Sequence, residues 1–165
     1  MTISLSLTSI NTKAPYSVWS DNGYTFLFRT SAGVYYEVGF VEDHMLSEDG
    51  DVLQLIISII DGVASYRDPA IKATVIAILE EFFKLDFVSL VYICDTRDNR
   101  QSSRQRLFSI WFQSYAGKED FHHEYRELRV DDTGYYIALL TRKDNPLLSD
   151  RLEAFEQLFQ QISGK

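Results

Sequence analysis

Two apolar runs with one helical segment between them constrain this chain more than any other feature. Leu53 to Ile60 is broken only by Gln54 and Ser58, and Phe87 to Cys94 is almost unbroken. Both are of strand length and rich in β-branched residues, as expected of strands buried on both faces. Val52 to Ile60 is therefore expected at the centre of a sheet. Between the runs, Ile71, Val75, Ile78 and Phe82 recur at helical spacing with Leu79 beside them, while Glu80 and Glu81 fall on the other side. Asp68 is placed to cap this helix, and Pro69 suits its first position, where an N–H is dispensable. A strand, a crossing helix and a second strand of one sheet run parallel when the crossover has its usual hand.

The flanking segments are of a different kind. Tyr24 to Thr30 and Val34 to Val41 alternate apolar and polar residues around Ser31-Ala32-Gly33, which reads as a hairpin. After Phe87 to Cys94, a helix is expected from near Asn99. Asp98 and Gln101 form a capping-box pattern, Arg104, Leu107, Phe108, Trp111 and Tyr115 lie along one face, and Gly117 is the expected stop. His123 to Val130 and Tyr135 to Arg142 form a second hairpin across Asp131-Asp132-Thr133-Gly134. Asn145-Pro146 opens a last helix with the stripe Leu148, Leu152, Phe155, Phe159 and Ile162. The order β-β-β-α-β-α-β-β-α gives an α+β fold with a mixed, mostly antiparallel sheet. At 165 residues, with no internal linker or repeat, a single domain is expected, its first 15 or so residues loosely held.

Charge and composition narrow the function classes. Sixteen Lys and Arg against 24 Asp and Glu give a net charge of -8, which opposes general nucleic-acid binding and anionic membranes. No run reaches the roughly 20 apolar residues of a membrane helix, and Met1 to Ile10 lacks the marks of a signal peptide. A cytoplasmic address follows as the default. Cys94 is the one cysteine, so an internal disulfide and a multi-cysteine zinc site are excluded. His122 and His123 are neighbours that a strand turns to opposite faces, so no metal site is expected. Cys94 beside Asp95 reads as structural rather than nucleophilic.

The element order resembles that of the GNAT acetyltransferase superfamily, over about Tyr24 to Thr141. There, a loop of the form Arg or Gln, two residues, Gly, one residue, Gly or Ala leads from strand to helix and cradles the coenzyme A pyrophosphate on backbone N–H groups. The corresponding stretch is Tyr66-Arg67-Asp68-Pro69-Ala70-Ile71-Lys72. Arg67 matches the first position. Ala70 and Lys72 stand where the resemblance implies small residues, Pro69 removes a donor, and Asp68 adds negative charge. The resemblance would make Arg67, Ala70 and Lys72 the acetyl-CoA contacts and Tyr115 a general acid.

A second resemblance is longer. Cys94-Asp95-Thr96-Arg97-Asp98-Asn99-Arg100-Gln101-Ser102-Ser103-Arg104, continuing to Phe108 and Trp111-Phe112, is similar to the signature C-D-x-x-D-x-R-Q-x-x-R-x-x-x-F-x-x-W-F of a family of short bacterial proteins of unknown function. It implies no activity.

Arg97, Arg100 and Arg104 are spaced three and four apart, so on a helix they share a face at the end of a buried strand. Guanidinium forks there suit an anion or a protein partner, or ion pairs with Asp95 and Asp98. Of ten Tyr and 11 Phe, most read as sheet-face packing, and any that reach the surface suit a protein interface. The Leu148 to Ile162 stripe reads as core, with a homodimer helix as the alternative. Two functions are thus expected to compete. The first is a non-catalytic interaction or regulatory module with a protein partner and no cofactor. The second is a divergent acyl-CoA-dependent N-acyltransferase.

Overall fold

The computed structural model describes residues 3–62, 68–95 and 111–163. The strands are β1 (Val18–Trp19), β2 (Thr25–Arg29), β3 (Tyr35–Glu42), β4 (Val52–Asp61), β5 (Ser89–Asp95), β6 (Phe121–Val130) and β7 (Thr133–Arg142). The helices are α1 (Leu7–Lys13), α2 (Pro69–Phe82) and α3 (Leu148–Ser163), and residues 111–114 are also helical. The fold is α+β, with a seven-stranded, mostly antiparallel sheet. α1 and β1 precede the elements expected from sequence, the other described elements follow in the expected order, and the helix expected from Asn99 lies outside the described residues up to residue 110. Contacts divide the chain into two compact units, residues 1–41 with 55–86, and residues 42–54 with 87–165.

In the first unit β2 pairs antiparallel with β1 and with β3, and β4 follows β3. Phe26 stands opposite Val38 and Phe28 opposite Tyr36, and all four are buried. Strand alternation puts them on one face, where Phe28 stacks on Tyr36 at 5.3 Å and Phe40 on Phe82 of α2 at 4.7 Å. Ile71, Val75, Ile78 and Phe82 are the buried residues that the helical spacing picks out.

The start of the chain holds a short helix that the sequence reading did not include. Ser6 caps α1 by accepting from Ser9 N at 3.1 Å, and Ile3 and Ile10 are buried. Asn11 ties the helix to β1, donating to Val18 O at 2.9 Å and accepting from Val18 N at 2.7 Å. A seven-residue helix is too short to announce itself by periodicity, and its order comes from these tertiary bonds.

In the second unit β7 pairs antiparallel with β5 and β6, and β6 is the last strand. Leu46, Val52, Val91, Ile137 and Leu139 form a core with Phe155 and Phe159 of α3, so the expected stripe on the last helix is mainly core. Asp51, at the entry to β4, accepts from Arg151 Nη2 of α3 at 2.7 Å and from Ser47 Oγ at 2.6 Å, while its carbonyl accepts from Ser89 N at 2.9 Å.

Two turns differ in detail from the sequence reading. The β6–β7 turn is Asp131-Asp132 alone, with Asp131 at φ 55°. Gly117 is not a left-handed helix stop, its φ being -89°. A Cβ there would meet the Tyr115 ring at 2.8 Å, so close packing is what selects glycine.

Candidate functional site

The start of α2 is the stretch to which the sequence resemblance assigns a pyrophosphate. Pro69 has no N–H to offer. The Ala70 N–H goes to Asp68 Oδ1 at 2.9 Å and the Ile71 N–H to the Asp68 carbonyl at 3.1 Å. Asp68 is extended, with φ -79° and ψ 107°, as a capping residue must be. Its other oxygen, Oδ2, accepts from the Tyr16 hydroxyl. Tyr16 is anchored in turn. Its backbone N–H donates to Thr74 Oγ1 at 3.3 Å, its hydroxyl lies 3.3 Å from Ser31 Oγ, and its ring stacks on Phe28 at 6.0 Å. The first donors of the helix are thus satisfied from within the chain, and a carboxylate occupies the position of the expected anion.

Of the residues assigned to a coenzyme by resemblance, Ala70 and Lys72 lie in the first turn of α2 as expected, and Arg67 lies outside the described residues. Arg97, Arg100 and Arg104 also lie outside them. Cys94 is in β5 opposite Tyr136. Tyr115 lies just past the helical residues 111–114, its ring 6.3 Å from Phe121. No group of three or more potential metal ligands occurs among the described residues, and no described helix is long and apolar enough to cross a membrane.

Sequence reasoning missed the opposite face of the first unit's sheet. β4 was expected to be buried on both faces, yet Ile56 is 40% and Ile60 54% exposed, while Leu55 between the same neighbours is buried. Residues four apart in a strand share a face. A Cβ at Gly39 would lie 4.0 Å from the Ile56 carbonyl oxygen, and Val41, two residues on in β3, is 51% exposed. Leu27 stands opposite Trp19, and Arg29 opposite Tyr35. The Arg29 guanidinium lies 5.5 Å over the Tyr35 ring, which Trp19 meets edge-on at 6.4 Å. Aliphatic side chains with Trp, Tyr and Arg among them have the composition of a protein-binding surface. An apolar run looks the same whether one face or both are covered, so sequence could not separate these cases.

A charged network lies on β6. Glu124 accepts from Arg126 at 2.9 Å and lies 3.0 Å from His122 Nε2, while Arg126 also donates to Glu156 of α3 at 3.0 Å. The Arg126 bond, then the His122 bond, holds the Glu124 carboxyl below its ordinary range, and Glu124 raises the Arg126 guanidinium. His123 faces the other way, as adjacent strand residues must, with Phe112 4.9 Å and Tyr125 6.0 Å away. Burial, helped by the neighbouring His122, lowers its pKa.

Among solved structures, one titled "The structure of a CoA-dependent acyl-homoserine lactone synthase, MesI" is similar at 13% identity, with a TM-score of 0.40 over 86% of this chain and 75% of that one. A search of curated proteins finds no match. Residues 67–157 match DUF6169, a family of unknown function. That span is more than half of the sequence and contains α2, the β6–β7 hairpin and most of α3; the chain belongs to the DUF6169 family.

Proposed function

We propose that this protein is a non-catalytic interaction module on an acetyltransferase-like scaffold. The observation that carries this reading is the closed start of α2. An anion-binding helix terminus works through unsatisfied N–H groups and a local positive field. Here Pro69 supplies no donor, the Ala70 N–H is bound to Asp68, and the Asp68 carboxylate would repel a pyrophosphate. Tyr16 holds that carboxylate in place through its hydroxyl. The open face around Trp19, Tyr35, Ile56 and Ile60 is the surface that the reading assigns to a protein partner; Arg97, Arg100 and Arg104, outside the described residues, stay the anion- or partner-binding candidates read from the sequence.

Isothermal titration calorimetry of the full chain with acetyl-CoA and with CoA tests this directly. The reading expects no saturable heat with either. Saturable binding at micromolar strength, weakened by Arg67→Ala, would overturn it in favour of an acyl-CoA-dependent N-acyltransferase.

A further inference from the structure

We propose that β6 pairs antiparallel with β6 of a second copy of this chain, in the register that sets Tyr125 opposite its own symmetry mate. Among the described residues β6 ends the sheet, and it runs for ten residues, about twice the usual strand length. Such an edge presents alternate backbone N–H and C=O groups to any strand that approaches, and the Tyr125 carbonyl at the proposed axis also accepts from Arg126 Nη1 at 2.8 Å, a bond that pairing must share or displace. Proline and lysine, which commonly protect edges, are both missing from Phe121–Val130.

The register follows from charge. A two-fold axis perpendicular to the sheet reverses the strand and preserves its faces, so it passes through a residue and its copy. Of the centres that keep most of β6 paired, Arg126 would set guanidinium against guanidinium, and Glu124 or Glu127 carboxylate against carboxylate. Like charges directly opposite destabilise a pair of strands. The centre at Tyr125 does the reverse, setting Glu124 opposite Arg126 of the mate and Arg126 opposite Glu124. Each carboxylate would then lie between its own strand's guanidinium, already bonded at 2.9 Å, and the mate's. The same register sets His123 opposite Glu127 and Phe121 opposite Arg129. Tyr125 is 52% exposed, yet its ring is supported by Tyr136 at 5.5 Å, so it offers a held aromatic surface at the axis. This inference rests on the strand and its charges, and is independent of whether the chain binds a coenzyme.

Sedimentation velocity of the full chain over a concentration series tests it, with far-UV circular dichroism as the control for folding. Wild type is expected to dimerise. Glu124→Arg and Arg126→Glu each create like-charge pairs and are expected to raise the dissociation constant about tenfold or more. Mixed in equal amounts, the two variants restore opposite charges at every pair and are expected to form a heterodimer. Arg126 also serves Glu156, so Tyr125→Lys supplies a variant that leaves the ion pairs intact while setting two ammonium groups together at the axis. It too is expected to be monomeric. A wild type that stays monomeric overturns the proposal, as do folded single variants that dimerise like wild type or a mixture of them that stays monomeric.

Discussion

Replacing Asp68 with alanine removes two bonds at once. One is the cap to the Ala70 N–H at 2.9 Å, and the other is the acceptor for the Tyr16 hydroxyl. Loss of a capping side chain costs about 1 kcal/mol. A hydrogen bond to a charged acceptor contributes about 1.5–3 kcal/mol, the lower end applying to this half-buried position. Asp68→Ala should therefore cost about 2–3 kcal/mol, or about 5–10 °C in Tm for a chain of this size. Asp68→Asn keeps a capping oxygen and loses only the charge, so it should cost about 1 kcal/mol. Urea denaturation of Asp68→Ala, Tyr16→Phe and the double variant closes a cycle, with an expected coupling of about 1 kcal/mol. An Asp68→Ala cost below about 0.5 kcal/mol would refute the closed helix start, because exposed caps with weak partners behave that way. Coupling near zero would refute the part assigned to Tyr16.

Three other outcomes follow from the structure. Arg151→Met strands the Asp51 carboxylate, now only 12% exposed, and should cost about 3–5 kcal/mol in urea unfolding, whereas adding Asp51→Leu should recover most of that loss. Phe155→Ala empties the centre of the second unit's core and should cost about 3–5 kcal/mol by the same assay. The half-buried His123 has a pKa below its ordinary 6.5, so its contribution is complete above that value and is lost as pH falls through the folded pKa. Between about pH 7 and about pH 5, His123→Gln should flatten the decline of the urea midpoint, and an unchanged slope would count against a buried neutral imidazole.

The pattern of residues alone determined the described elements from β2 onward and their order, but neither α1 nor β1. Alternation marked β2 and β3, 3.6-residue spacing marked α2 and α3, and Asp68-Pro69 fixed where α2 begins, because these signals are local and each segment must bury a face of its own period. The lost glycines and the carboxylate at the start of α2 were legible for the same reason. Tertiary structure decided what local signals cannot carry. Tyr16, 52 residues before Asp68, completes the closure of α2 through its anchorage to Thr74, Ser31 and Phe28. The segment around α1 is ordered by its bonds to β1. Above all, the open face of β4 depends on which neighbours cover Ile56 and Ile60. Whether an apolar side chain becomes core or surface is set by the elements packed over it, and a run of isoleucines reads alike in either place.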